Sequence, residues 1–366
     1  MSAVRAIDLE DTEGLLAADR DGLLRSASSA GAQVRAVAAA VDEGALDALR
    51  ADDRPRSLIW VAGRGAAETA GAMVVATVGG AASEPIVQTA EVPPWIGPLD
   101  VLIVAGDDPG DPALVTAAAT GARRGARVVV VSPYEGPLRD ATAGRAAVLA
   151  PRLPLPDEFG LCRYLAAGLA VMQSVDQRPG IDLGALADQL DAEALRNSAA
   201  RELFTNPAKT IAARIADRQV ALAGDCAATL ALARHGSSVL LRIAHQVVGA
   251  TGLSDAVVAL RAGVSGGFRD PAEALFHDEQ IDGPLPARPL VLALTLSAEQ
   301  PVVAARTAGL DDVYLIAAED VPDGPGGSAG STVAPALGGA ISAEQQLAVL
   351  AVRLEMAAVY ARLVRG

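Results

Sequence analysis

Short apolar runs rich in valine, isoleucine and leucine alternate along this chain with alanine-rich segments whose apolar residues recur at helical spacing. Apolar runs of strand length that are separated by helices predict an α/β protein built around parallel sheets. The predicted strands begin at Ser57, Glu84, Leu99, Ala126, Ala146, Arg218, Arg288 and Asp311. The segment that starts at Asp255, DAVVAL, fits a strand or a helix.

The predicted helices complete this pattern. Two helices are expected over residues 22–50, and others over 66–77, 112–124, 157–173, 183–203 and 342–364. The chain then divides into N-terminal helices (1–50), a first α/β module (51–156), bridging helices (157–205), a second α/β module (206–341) and a C-terminal helix (342–366). Two modules of similar length suggest a duplication, although no repeat is visible residue by residue.

Composition and charge narrow the functional classes. The hydrophobic fraction of 51% over 366 residues is enough for a large core, and 44 acidic against 30 basic residues give a formal charge of −14. Such a charge repels nucleic acids and anionic membrane surfaces, so we expect neither as a partner. The first residues do not resemble a signal peptide and no apolar run reaches the length of a membrane span, which predicts a cytoplasmic protein.

Metal-binding and disulfide patterns are weak in this sequence. Cys162 and Cys226 lie far apart and form no CxxC pair, so we expect neither a disulfide framework nor a zinc knuckle. His235 and His245 are ten residues apart without a third ligand at metal spacing. We therefore predict no metal site and no cofactor.

A glycine-containing turn follows the first strand of each module, in GRGAAE from Gly63 and in AGDCAA from Ala223. A turn that opens a helix exposes backbone N–H groups and suits an anion. The first turn lacks the third glycine of a dinucleotide-binding fingerprint, which disfavours a Rossmann dehydrogenase. Arg64 in this turn could clamp an anion, or it could be an ordinary exposed arginine.

Four motifs occur in an order that resembles the sugar isomerase (SIS) family, and within it the bifunctional phosphoglucose/phosphomannose isomerases. The segment from Gly63, GRGAAETAG, is similar to a GxGGSxxxG turn, and residues 206–209 match an Asn-Pro-Ala-Lys element. LFHDEQIDG from Leu275 is similar to a PExxHNEI motif, and the chain ends in MAAVYARLVRG. The resemblance implies two SIS-like modules, and a homodimer whose sites form where subunits meet.

The phosphate-binding hydroxyls that the resemblance implies are missing. The family holds a sugar phosphate with a SxSGNT loop, but here Ala105 and Asp107 stand at the serine positions and Gly110 at the threonine position. Asp107, Asp108 and Asp111 place negative charges where a dianion would bind. The candidate ligand-binding residues are Gly63, Arg64, Gly65, Asp107, Asp108, Gly110 and Ser132.

The catalytic groups that the resemblance implies are only partly present. His277 matches the ring-opening histidine and Glu279 the glutamate of the HNE segment. No glutamate occurs between Glu202 and Glu273, where the family has its base, and Asp255 is the acid nearest to that role. The only lysine, Lys209, lies outside the last helix, where the family has one. The catalytic candidates are therefore His277, Glu279 and Asp255.

Three interpretations follow from these residues. The first is a carbohydrate-derivative binding protein of the SIS type that has lost or strongly changed its catalysis. The second is an active aldose-ketose isomerase of glucose or mannose 6-phosphate, with Arg64 at the phosphate, His277 for ring opening, and Asp255 or Glu279 for proton transfer. The third is a structural subunit that pairs with another enzyme. A sugar phosphate or a related carbohydrate derivative is the expected partner of the first two.

Overall fold

Two parallel β-sheets form the centre of the protein, and helices connect their strands. The computed structural model describes residues 7–50, 54–176, 180–262, 289–318 and 341–365. Within these ranges the strands form one five-stranded and one four-stranded sheet, and every strand pair is parallel. The predicted α/β architecture with two parallel-sheet modules is confirmed.

The N-terminal segment has the two α-helices predicted over residues 22–50 and, before them, one α-helix that was not predicted. They are α1 (Thr12–Ala18), α2 (Leu23–Ala27) and α3 (Ala30–Asp42). The helical path is interrupted between α1 and α2, where Gly22 adopts a left-handed conformation with φ of 65°. Asp19 stabilises the break, since its carboxylate accepts hydrogen bonds from the backbone N–H groups of Leu23 and Leu24.

The first sheet has the strand order β2-β1-β3-β4-β5. Its elements in chain order are β1 (Ser57–Val61), α4 (Gly65–Val78), β2 (Ile86–Thr89), β3 (Asp100–Ala105), α5 (Pro112–Arg124), β4 (Arg127–Val131), α6 (Gly136–Thr142) and β5 (Ala147–Val148). Every residue of β1 and β3 is buried, which explains their continuous apolar sequences, because helices cover both faces of the sheet.

Helices connect the two modules, as predicted. They are α7 (Leu161–Val175), α8 (Leu183–Arg196) and α9 (Pro207–Ile215). The helix predicted over 183–203 is shorter because Asn197 ends it, and the Asn197 side chain donates to the carbonyl of Glu193. The Asn-Pro-Ala-Lys element begins α9: Asn206 caps the helix by accepting from the N–H of Lys209.

The second sheet repeats the strand order of the first, β7-β6-β8-β9. The elements are β6 (Val220–Gly224), α10 (Ala227–Ala244), β7 (Gly249–Gly252), α11 (Leu253–Arg261), β8 (Leu290–Leu294), α12 (Gln300–Thr307), β9 (Val313–Ile316) and the final helix α13 (Ala343–Arg365). The ambiguous segment at Asp255 is helical. The strand β7, with the sequence GATG, was not predicted, because it lacks a β-branched run.

The α4 and α7 helices approach Trp60 of β1 closely. The indole N–H of Trp60 donates to the carbonyl of Ala67 at 3.0 Å. A Cβ atom on Gly71 would lie 2.5 Å from the indole ring, and one on Gly168 would lie 2.9 Å from it. These two positions therefore accept only glycine, and they fix how both helices pack on the buried tryptophan.

Charged side chains are buried where the last helix meets its neighbours. Arg353 of α13 is 1% exposed, and its Nε donates to Glu193 of α8 at 2.8 Å. The same guanidinium donates to the carbonyls of Ala317 and Ala318 after β9, at 2.7 and 3.1 Å. Arg353 thus joins the bridging helices, the second sheet and the C-terminal helix.

Among the described residues, no helix combines the length and the hydropathy that crossing a membrane would need.

We expect Gly71→Ala to lower the free energy of unfolding by about 1–3 kcal/mol, because the new methyl group overlaps the indole of Trp60. Gly80→Ala is the matched control, since a Cβ there meets no atom within 4 Å. Urea denaturation measures both variants. Equal stability of the two variants would show that the contact between α4 and β1 is looser than described.

We expect Arg353→Met to destabilise the fold by about 3 kcal/mol, since it leaves a buried carboxylate and two carbonyls without their main donor. Arg362→Met, which removes an exposed ion pair with Asp21, should change the free energy of unfolding by less than about 0.5 kcal/mol. A similar small change for both would mean that Arg353 does not hold α8 and α13 together.

Candidate functional site

A cleft lies at the carboxyl ends of β1 and β3. These neighbouring strands are where the strand order of the sheet reverses, since β2 follows on one side and β4 on the other. Open parallel sheets bind ligands at this kind of switch point. The cleft has a volume of about 480 Å³ and is lined by Gly63, Arg64, Gly65, Ala66, Ala105, Gly106, Asp107, Asp108, Asp111, Leu114, Asp157, Ser238 and Arg242.

The turn after β1 provides one wall. Gly65 has a φ of 66°, a left-handed conformation that strains any other residue, and it begins α4. Arg64 precedes it in extended conformation at the cap position and does not cap the helix with its side chain. The first N–H groups of α4 therefore have no side-chain cap from this residue and lie beside the cleft.

The loop after β3 provides the floor and carries three acids. Asp108 accepts a hydrogen bond from the N–H of Gly110 at 2.8 Å, and Asp111 caps α5 by accepting from the N–H of Ala113 at 2.9 Å. Arg64 reaches across from the first turn, with Nη2 3.6 Å from a carboxylate oxygen of each of these two acids. The only basic side chain of the glycine turn is thus already beside two carboxylates.

Asp107 is held more tightly than the other acids. Its Oδ1 accepts hydrogen bonds from the Tyr164 hydroxyl and from Nη2 of Arg163, the latter at 3.1 Å. Burial raises the pKa of the Asp107 carboxyl above its ordinary value, and the negative charge of Asp157 adds to this rise. The hydrogen bond from Tyr164 and the charges of Arg163 and Arg242 oppose it.

Arg163 lies directly behind Asp107. Its side chain is only 10% exposed, and the guanidinium stacks on the Tyr164 ring at 4.0 Å. Burial raises the pKa of the Tyr164 hydroxyl, so this group remains a proton donor. Nη1 of Arg163 is buried without a hydrogen-bond partner in the described part of the chain. A donor of this kind is costly to bury and is typical of functional sites.

The second module supplies the opposite wall. Ser238 and Arg242 are four residues apart on α10 and face the cleft together. Asp157, in the short turn before α7, also lines it, and Arg242 forms an ion pair with the neighbouring Glu158 at 2.7 Å. Both modules therefore shape one cleft.

The structure brings together five of the predicted ligand-binding residues: Gly63, Arg64, Gly65, Asp107 and Asp108. Gly110 supports the acid loop without lining the cleft, and Ser132 is fully buried after β4, where its hydroxyl has no partner among the described residues. Asp255 is exposed in the first turn of α11 and does not line this cleft. His277 and Glu279 lie outside the described residues, so their catalytic roles stay predictions.

Three residues of the cleft were not predicted from the sequence: Asp157, Ser238 and Arg242. Ser238 and Arg242 show helical spacing, which places them on one face of α10, but no pattern indicates that this face meets the first module. Asp157 follows a proline-rich segment that predicts only a break in the fold. These residues join the site through tertiary packing of the two modules.

Two buried titratable groups outside the cleft, His235 and Lys209, have structural contacts. His235 is buried and its Nε2 lies 2.9 Å from Oε1 of the buried Glu355. Lys209 is fully buried, with Nζ donating to the carbonyls of Ala199 and Arg201. Asp225, Cys226 and Glu299 bring possible ligand atoms within 4.8 Å of one another at the corresponding edge of the second sheet. This gives three donors, whereas a closed structural zinc site has four.

We expect Asp157→Asn to lower the pKa of Asp107, because it removes one negative charge that disfavours the ionised carboxyl. The pKa should stay above that of an exposed aspartate, since burial is the largest cause of the shift. A ¹³C NMR titration of the Asp107 carboxyl measures this, with the exposed Asp140→Asn of α6 as control. An unchanged or higher pKa in Asp157→Asn would contradict the described arrangement of the two acids.

Comparisons with known proteins identify the fold. No family sequence model matches the chain, and no curated protein sequence matches it significantly. Solved structures do match: tagatose-6-phosphate ketose/aldose isomerase from Escherichia coli has a TM-score of 0.60 at 14% identity, covering 94% of this chain and 91% of that chain.

Two further structures match over similar lengths. The C-terminal domain of glucosamine-fructose-6-phosphate aminotransferase from Francisella tularensis has a TM-score of 0.57 at 10% identity, covering 94% of this chain and 95% of that chain. A glucose-6-phosphate isomerase like protein from Thermus thermophilus has a TM-score of 0.54 at 18% identity, covering 98% of this chain and 96% of that chain. At these identities the likeness concerns the fold. The chain therefore has the two-module sugar isomerase (SIS) fold that its motifs resemble.

Proposed function

We propose that this protein binds a carbohydrate derivative in the cleft between β1, β3 and α10 and does not isomerise sugar phosphates. The observation that carries the proposal is the position of Arg64 between Asp108 and Asp111, 3.6 Å from each. The arginine of a turn that suits an anion thus already lies beside two of the protein's own carboxylates, although a cleft of about 480 Å³ is open next to it.

The carbohydrate class follows from the fold and from the chemistry of the wall. Structures with this fold include a tagatose-6-phosphate isomerase and a glucose-6-phosphate isomerase like protein. A volume of about 480 Å³ lies in the range of small-molecule sites. Carboxylates accept hydrogen bonds from hydroxyl groups, and guanidinium groups donate to their oxygens, so the polar wall suits a polyhydroxylated ligand.

The same wall disfavours phosphate. Four acids line the cleft, Asp107, Asp108, Asp111 and Asp157, against two arginines. Both arginines already have acidic partners, Arg64 in the acid loop and Arg242 at Glu158. Each pair of like unit charges about 4 Å apart costs about 4 kcal/mol at an effective dielectric near 20. A phosphate dianion beside these acids would be repelled more than it is attracted.

The position of Asp255 further supports a binding role. Proton transfer between two sugar carbons needs a base within hydrogen-bond reach of the substrate, directly or through one water. Asp255 is exposed on α11 and does not line the cleft, although the alternative function, an active isomerase, assigns it this role together with Glu279. An active isomerase would also need Arg64 to leave both acids and clamp the phosphate.

We expect Ser238→Trp to abolish sugar binding, because the indole fills the cleft from an exposed position on α10. Arg234→Trp is the matched control, one helical turn earlier and also exposed, but outside the cleft. Isothermal titration calorimetry with D-glucose, D-glucosamine and glucose 6-phosphate measures binding. At least one unphosphorylated sugar should bind the unmodified protein and Arg234→Trp, and glucose 6-phosphate should bind more weakly than glucose.

Two results would contradict the proposed function. The first is the absence of binding by all three sugars at millimolar concentration. The second is conversion of fructose 6-phosphate to glucose or mannose 6-phosphate at a rate that His277→Ala abolishes, which would establish the isomerase instead.

A further inference from the structure

We propose that a second pocket, between helices α1, α2, α8 and α13, binds a medium-chain fatty acid whose carboxylate pairs with Arg25. This pocket shares no lining residue with the cleft at the first sheet, so the inference does not depend on the proposed carbohydrate binding. Its volume of about 480 Å³ lies in the range of small-molecule sites, which often form between packed helices.

The apolar lining of this pocket is the first step. Leu24, Met356 and Tyr360 are buried residues of the lining, whereas Leu16 and Leu195 are 59% and 68% exposed. Exposed leucines on two helices beside a pocket form an apolar patch of the kind that marks a binding surface. The methionine side chain adapts its shape to an apolar ligand. This lining suits a flexible hydrocarbon chain, because it leaves the hydroxyl groups of a sugar without partners.

The charged and polar groups at the pocket are the second step. Arg25 of α2 lines the pocket, and its guanidinium forms no ion pair or hydrogen bond with the described residues. Asp191 of α8, the one acid among the described lining residues, is already paired with Arg35 of α3. The Ser198 hydroxyl also lines the pocket and has no hydrogen bond within the described part of the chain. Guanidinium and hydroxyl groups both donate to carboxylate oxygens.

The sign and the number of charges on the ligand follow from these groups. The chain has a formal charge of −14, so an anion binds only where a local cation attracts it, and Arg25 is such a cation. A cationic amphiphile would be repelled by Arg25, and a neutral alcohol gains no ion pair. One free guanidinium matches the single charge of a carboxylate, while the apolar lining accommodates the alkyl chain.

The test compares amphiphiles that differ at one feature. Isothermal titration calorimetry at about pH 7, where carboxylates and amines are ionised, uses octanoate, hexanoate, 1-octanol and octylamine. We expect octanoate to bind roughly tenfold more tightly than hexanoate, because two further methylene groups leave water. Octanoate should also bind roughly tenfold more tightly than octanol, which cannot pair with Arg25, and octylamine should bind more weakly than octanol.

Arg25→Gln and Arg20→Gln are matched variants that test the carboxylate contact. Both arginines are exposed and have no ion pair among the described residues, but only Arg25 lines the pocket. Arg25→Gln should weaken octanoate binding roughly tenfold and leave octanol binding unchanged. Arg20→Gln should alter neither.

Leu195→Asp tests the apolar lining. It replaces an exposed leucine of the pocket with an acid that repels the fatty acid, so octanoate binding should be lost at millimolar concentration. Leu241→Asp is the control, since Leu241 is 51% exposed on α10 and lies outside the pocket. If Leu195→Asp does not fold, the comparison of the two arginine variants still decides the inference.

Several outcomes would overturn the inference. If octanoate does not bind at millimolar concentration, or if octanol binds as tightly, the pocket has no carboxylate site. If Arg25→Gln leaves octanoate binding unchanged, the fatty acid binds elsewhere. If octanoate does not bind but Leu195→Asp dissociates an oligomer in size-exclusion chromatography, and Leu241→Asp does not, the pocket is a protein interface. None of these outcomes bears on carbohydrate binding in the cleft.

Discussion

Because β1 and β3 are neighbouring parallel strands, the loops that follow them must open at the same edge of the sheet. This constraint determines which residues can meet. It places Arg64 beside Asp108 and Asp111, although more than forty residues separate them in the sequence. The helices that cover the sheet complete the arrangement: α7 holds Asp107 through Arg163 and Tyr164, and α10 closes the cleft with Ser238 and Arg242.

The charges at this edge of the sheet differ from those of an ordinary anion-binding turn, because the loop after β3 carries three aspartates beside Arg64. A glycine turn at the start of a helix favours an anion, but here the protein supplies the anions itself, from the acid loop after β3. Asp108 and Asp111 also stabilise the backbone of that loop, so their carboxylates serve structure and charge together. Asp107 and Asp157 are different, because each keeps an oxygen that the described residues leave free.

The sequence predicted helices and strands well where residues within the element itself determine its ends. The helix expected over 112–124 has those bounds in the structure, because Pro112 begins it and Gly125 ends it in a left-handed conformation. The glycine turn and the acid loop were also predicted as ligand-binding segments, and the structure places them at one cleft, while their binding role stays a prediction. Local patterns could not show that α10 closes the cleft, that Arg64 pairs with the acids, or that Asn197 ends a helix with its side chain. The motif around His277 lies outside the described residues, so its role remains a prediction.

A crystal structure of the protein with D-glucose tests the central claim most directly. The account predicts a sugar in the cleft lined by Asp107, Asp157 and Ser238, with Arg64 still beside Asp108 and Asp111. A structure with glucose 6-phosphate that shows the phosphate on the turn at Gly63–Gly65, with Arg64 turned away from both acids to bind it, would contradict the account.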